Sequence, residues 1–232
     1  RRSAVGNGAD MIERKQYRGC LKKNTSPQVL NDACKSAKLC AEKLIEEKRL
    51  LTASLYEYNG MCFLYYEALE KGVIPEDFLS ALDEVLETWP EEQGLTSWVP
   101  MYPIYWHQIP DSVENWQKAR NLLDEDGKKT EKDRIGRIAF VYPEKLFSYT
   151  YWHQAIVGEG LLKGDQYQFI SLHENILFSY FETPKHMVNI KNTEEESKVI
   201  REWMEADPES HFDRVKAGGE NFRIIPALFS VG

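Results

Sequence analysis

The chain has 232 residues, a formal charge of −8 and no basic block, a balance that argues against a nucleic-acid partner. No apolar run approaches the ~20 residues that a membrane helix needs, so no membrane partner is expected. Residues 1–10 hold no apolar segment and read as a disordered N-terminal remnant rather than a signal peptide, with Met11 a candidate start.

The first unit spans residues 11–110. Tyr17 to Lys22 reads as a strand. Ser26-Pro27 supplies an N-cap and a first helical position. Leu30, Ala33, Cys34, Ala37, Cys40, Ala41, Leu44 and Ile45 then recur at helical spacing, which predicts a helix to about Arg49. Leu50 to Tyr58 and Met61 to Leu69 are strands joined by Asn59-Gly60, a hairpin signal. Pro75 opens a second predicted helix, with Phe78, Leu82, Val85 and Trp89 on one stripe. Trp98 to His107 reads as the last strand. Four cysteines (Cys20, Cys34, Cys40 and Cys62) form no C-x-x-C pair, which predicts a reduced, cytoplasmic protein with no metal site.

Residues 111–133 read as a connector, with a helical piece around Trp116 and a solvated charge run from Asp124 to Lys132. From residue 134 to 232 the first order returns: strand Arg137 to Tyr142, helix Pro143 to Leu162, hairpin strands Tyr167 to His173 and Ile176 to Glu182, helix Glu194 to Met204, and strand Phe222 to Val231. Phe63-Leu64-Tyr65-Tyr66-Glu67 aligns with Phe178-Ser179-Tyr180-Phe181-Glu182, and Met101-Tyr102-Pro103 with Ile224-Ile225-Pro226. The reading is α+β: two ferredoxin-like βαββαβ repeats whose antiparallel sheets pack face to face as a pseudo-dimeric α+β barrel. Such a chain is expected to be a monomer or a homodimer.

Tyr149 and His153 stand four residues apart, so a helix places them on one face. A phenol beside an imidazole can exchange protons near neutral pH. The bland alternative is an aromatic face packed on a sheet around a satisfied interior histidine. Arg137 on the preceding strand, and His107 at the end of another, are further candidate ligand contacts. No His pair has metal-ligand spacing with a carboxylate.

With its first strand Arg137-Ile138-Ala139-Phe140-Val141, the P-x5-Y-x3-H spacing of Pro143, Tyr149 and His153, Phe178 and Glu182 on the hairpin, and Trp203 in the last helix, the second unit resembles the L-rhamnose mutarotases. The resemblance covers about residues 134–232, and the first unit only through the repeat. It implies that His153 and Tyr149 are catalytic, interconverting the α and β anomers of a monosaccharide without a cofactor. Arg137, Tyr167, Gln168, Tyr180, Trp152 and His107 are the expected substrate contacts. The chain departs from the family at Gln168, where the family has a tyrosine, and at Met187-Val188-Asn189, where it has a tryptophan. The first unit has no His or Tyr on the equivalent helix, so one site is expected rather than two. The competing expectation is a non-catalytic small-molecule or carbohydrate-binding protein on the same scaffold.

Overall fold

Strand β1 (Glu13–Cys20) buries every second residue from Arg14 to Arg18 in the computed structural model, which describes residues 12–120, 122, 128, 130–162, 167–184 and 196–232. Helix α1 (Pro27–Glu46) starts where the Ser26 hydroxyl accepts the Val29 amide at 3.3 Å and Pro27 fills the first turn. Cys34, Ala37, Ala41 and Leu44 form its buried stripe. β2 (Leu50–Tyr58) and β3 (Met61–Ala68) follow, turning at Asn59 and Gly60 with φ of 49° and 79°. Left-handed backbone at both turn residues matches the twist of the strands they join.

The second helix of the first unit is shorter than its stripe predicts. α2 covers Glu76–Leu79, a 3₁₀ turn covers Ser80–Leu82, and Trp89 opens a strand, β4 (Trp89–Glu91), paired with β5 (Gly94–Thr96). Pro90 disfavours helical backbone at Trp89. Phe78, Leu82 and Val85 are still buried together, so the stripe reported burial rather than one continuous helix.

The expected strand Trp98 to His107 is two strands. β6 (Val99–Pro100) pairs with β1, and β7 (Tyr102–Trp106) crosses to the other sheet. The connector holds α3 (Val113–Ala119), capped by Ser112 Oγ, which accepts the Asn115 amide at 3.2 Å. Most of the charge run Asp124 to Lys132 lies outside the described residues.

The second unit runs β8 (Asp133–Phe140), a 3₁₀ turn at Pro143–Lys145, α4 (Leu146–Glu159), β9 (Gln168–His173), β10 (Ile176–Thr183), α5 (Lys198–Glu205), β11 (Arg223–Ile225) and β12 (Ala227–Val231). Helix α4 stops short of Leu162 because Gly160 adopts φ 73°, a left-handed cap. The final strand also splits, at Pro226. A proline has no N–H for the ladder, so pairing changes partner there.

The strands form sheet one, in the order β12-β2-β3-β1-β6, and sheet two, in the order β11-β8-β10-β9-β7. Every pairing is antiparallel, as the α+β reading requires. Each sheet takes its fifth strand from the other unit. Strand alternation then makes three cores: α1 and α2 on sheet one, sheet on sheet, and α4 and α5 on sheet two. Tyr56, Phe63, Phe169 and Phe178 fill the middle core. No helix among the described residues is long and apolar enough to cross a membrane.

Gly136 on β8 lies beneath the Tyr56 ring, and a Cβ there would stand 2.5 Å from it. Overpacking of this kind costs about 1–3 kcal/mol. Gly136→Ala is therefore expected to lower the unfolding free energy by that amount and so to lower the urea midpoint. An unchanged midpoint would mean that the sheets part freely at this point.

Candidate functional site

Adjacent residues on a strand face opposite ways, and this rule divides the expected site residues. Arg137 and Gln168 point from sheet two toward its helices. Tyr167 and Tyr180 belong to the core between the sheets. The structure therefore brings Arg137, Gln168, Tyr149 and His153 to one face and puts Tyr167 and Tyr180 on the other. Trp152 is half-buried against the helix-side core, edge-on to Tyr151. His107 follows β7 and is buried, its amide bonded to Gln168 O at 3.0 Å. Met187-Val188-Asn189 lies outside the described residues.

On the helix face, Arg137 reaches between two rings. Its Cζ lies 4.8 Å from the Phe181 centroid and 4.4 Å from that of Phe222. Arg137 Nε donates to Ser179 Oγ at 3.2 Å, and Gln168 Nε2 donates to the same oxygen at 3.3 Å. No carboxylate pairs with Arg137 among the described residues. Burial pushes its pKa down, against the opposing influence of the Tyr149 and Tyr105 phenols. The side chain borders an open cleft of about 530 Å³ with Phe222, Asn221, Glu209 and Arg214. Glu209 on this rim is already engaged by Arg214 and by Asn221.

Tyr149 and His153 share a buried face of α4, as the spacing predicts, with ring centroids 3.9 Å apart. His153 Nδ1 lies 2.9 Å from the Tyr149 carbonyl. A carbonyl can only accept, so Nδ1 carries the proton and Nε2 is the acceptor of the neutral ring. Burial lowers the His153 pKa from 6.5 to about 4, the bond to the Tyr149 carbonyl acting the other way. Burial likewise holds the Tyr149 phenol above its ordinary range, despite the Arg137 charge nearby. The Tyr149 hydroxyl makes no hydrogen bond among the described residues. The rings of Tyr105 and Trp203 stand 5.9 Å and 5.2 Å from His153, and His153 is 7% exposed. Neither His153 nor Tyr149 lines the cleft over Arg137.

His211, which reads as part of a polar loop, is instead buried beside this cluster. Its Nδ1 donates to Asp207 O at 3.0 Å and its Nε2 accepts from Ser148 Oγ at 2.9 Å. The 3₁₀ turn Pro208–His211 carries it inward.

The inner face holds charged residues that the sequence reading passed over. Arg120, placed in the connector, is 2% exposed. It bonds Glu182 through Nε at 2.9 Å and through Nη2. Glu67, its counterpart on β3, accepts from Tyr65 and from Trp116 Nε1. Tyr65 and Tyr180 stack with centroids 3.6 Å apart. Arg14 is the second residue passed over, its Nε 2.7 Å from the Tyr65 hydroxyl. The signal for Arg14 was present: Arg14, Gln16 and Arg18 alternate on β1, so one face of that strand is polar. Arg120 had no such signal in a charge-rich stretch. Among the described residues, no group of three or more His, Cys, Asp or Glu is arranged to hold a metal.

No family model matches the chain, and no curated protein matches it. Among solved structures, it is similar to a candidate monooxygenase of Fusobacterium nucleatum, with 10% identity over 95% of this chain and 94% of that one, at a TM-score of 0.42. A candidate monooxygenase of Lactobacillus acidophilus gives 7% identity over 95% and 96%, at 0.44. A mutant chlorite dismutase of Candidatus Nitrospira defluvii gives 13% over 94% and 92%, at 0.35. Likeness at this level identifies no activity for the chain.

The His153 pKa makes stability depend on pH. The unfolded chain takes up the proton near 6.5, the folded chain only near 4. Between those values the unfolded state binds more protons, so stability rises with pH and is complete above about 6.5. The loss on acidification through this window is on the order of 3 kcal/mol. Urea unfolding from pH 4 to 7 is expected to show this slope, and His153→Gln to flatten it. Equal slopes in the two proteins would place the proton elsewhere.

Proposed function

We propose that this chain is a small-molecule-binding protein whose ligand, a monosaccharide or a close polyhydroxylated relative, lies over Arg137 on the helix face of sheet two. The observation that carries this reading is the Arg137 guanidinium itself. It stands between Phe181 and Phe222, and its one hydrogen bond among the described residues goes to Ser179 Oγ. A guanidinium offers five N–H donors in a fixed fork. The unused donors suit the paired oxygens of neighbouring sugar hydroxyls. Phe222 supplies an apolar wall for the C–H face of a ring, and Asn221 a further polar contact in the same cleft. The scaffold in this reading is a tandem of ferredoxin-like units closed as a pseudo-dimeric barrel.

A second reading adds catalysis. Its support is the pairing of Tyr149 with His153, the bare Nε2, and the resemblance of this helix to the rhamnose mutarotases. In that chemistry Nε2 removes the proton of the anomeric hydroxyl, and a phenol returns one to the ring oxygen. The ring opens, the carbonyl rotates, and closure gives the other anomer. A base with a pKa near 4 is weak at neutral pH. Its help therefore falls at the low end of the roughly 10²–10⁴-fold typical of such groups. The sugar would have to reach past the rings of Tyr105 and Trp203.

Calorimetric titration with a panel of hexoses and 6-deoxyhexoses tests the first reading. Arg137→Met keeps the stem and removes the fork, and is expected to weaken binding about tenfold. Undiminished binding in that variant would rule out the Arg137 cleft. NMR saturation exchange between anomers tests the second: faster exchange that survives His153→Ala would exclude the proposed base.

A further inference from the structure

The inner face of the barrel presents more donors than its own acceptors use. Glu67 accepts from Tyr65 on one oxygen and from Trp116 on the other. Glu182 accepts from Tyr180 at 2.6 Å and from Arg120 through both Nε and Nη2. Both carboxylates are thus met by donors on both oxygens. By contrast Arg14 Nη2, Arg120 Nη1 and the Tyr167 hydroxyl are fully buried and meet no hydrogen-bond partner among the described residues. All three residues are more than nine-tenths buried.

We propose that this end of the inter-sheet space is a second binding site, for a small organic carboxylate, held by Arg14, Arg120 and Tyr167. The three donors belong to one cluster. The Tyr167 ring centroid lies 3.9 Å from Arg14 Cζ and 5.9 Å from Arg120 Cζ. Arg14 makes its other contacts to neutral oxygens: the Tyr65 hydroxyl at 2.7 Å, His107 O at 3.0 Å and Gln108 O at 2.8 Å. It is a buried cation with no carboxylate in contact among the described residues.

Charge selects the ligand class. Arg14 sits opposite Glu67 in the β1–β3 ladder, and Arg134 opposite Glu182 in the β8–β10 ladder. Arg120 is the third cation, so three guanidiniums face two carboxylates. One monoanion restores neutrality. Glu131 and Asp133 stand at the mouth, but both are exposed to water, with Lys132 between them. A carboxylate brings two oxygens able to accept several bonds, enough for all three donors. A buried donor left unmet keeps its full desolvation penalty, so the occupant gains what the bare site lacks. A cleft of about 640 Å³ leads to Arg120 and Trp116 from the surface, past Arg134 and Val231.

The test is titration of the whole chain with acetate and benzoate, against sodium chloride at equal ionic strength and against neutral acetamide. The readouts are the thermal midpoint and the Trp116 indole N–H resonance, assigned by Trp116→Phe. Either carboxylate is expected to raise the midpoint and to move that resonance saturably, while chloride and acetamide do neither. Tyr167→Phe removes one unmet donor, so it is expected to keep or raise the midpoint without ligand and to weaken carboxylate binding about tenfold. Should Tyr167→Phe fail to fold, Arg14→Lys is expected to show the same weakening. The proposal is overturned if no carboxylate moves the resonance, which would mean that water satisfies the donors. An equal response to acetamide or chloride, or undiminished binding in a folded variant, overturns it as well.

Discussion

Each sheet is completed by a strand from the other unit, and the rest of the molecule follows from that exchange. β7 leaves the first unit to pair with β9, and β12 leaves the second to pair with β2. The two units are therefore joined by backbone ladders as well as by packed side chains. The exchange also covers β2 and β9, which would otherwise end their sheets with unpaired N–H and C=O groups. Once the sheets are interlocked face to face, the central strands are covered by the partner sheet on one side and by helices on the other. Polar side chains are thereby gathered on both sides of sheet two, Arg137 on the helix side and Arg120 with Glu182 on the inner side.

The helix sides of the two sheets differ because the helices differ in bulk. α1 meets sheet one through Cys34, Ala37, Ala41 and Leu44, mostly small side chains that permit close approach. α4 meets sheet two through Tyr149, His153 and Ile156, backed by Trp203 and His211. Large aromatic side chains keep backbone elements further apart than alanines do. The second unit can therefore admit Arg137, Gln168 and Ser179 to a layer that in the first unit is apolar.

The parts legible in the sequence were those set locally. Ser26-Pro27 and Asn59-Gly60 carry their conformations in their own side chains. The alignment of Tyr65 and Glu67 with Tyr180 and Glu182 puts equivalent residues at equivalent places, with the tyrosines stacked and both carboxylates buried. What was not legible depends on distant partners. The crossings at Met101 and Pro226 reflect which sheet has a free edge, and no window of residues reports that. Tyr167 and Gln168 were read as one pocket although strand alternation separates neighbouring residues. His211 has polar neighbours in sequence, but the turn that carries it inward seats it against Trp203 and against Ser148 on α4.

Arg120 is the clearest case of a residue whose meaning is wholly tertiary. It lies just past α3 in a stretch dense with charge, where the ordinary fate of an arginine is a solvated surface. Yet α3 carries Trp116 to Glu67 of the first unit and Arg120 to Glu182 of the second. The connector thus ties Glu67 of β3 to Glu182 of β10. A buried pair of this kind adds little to net stability, because its desolvation offsets much of its attraction, but loss of one partner strands the other at about 3–5 kcal/mol. Such a penalty acts against alternative seatings of α3 more than it stabilises the native one. It fixes which end of the barrel the connector closes, and so which end keeps Arg14, Tyr167 and Arg120 together.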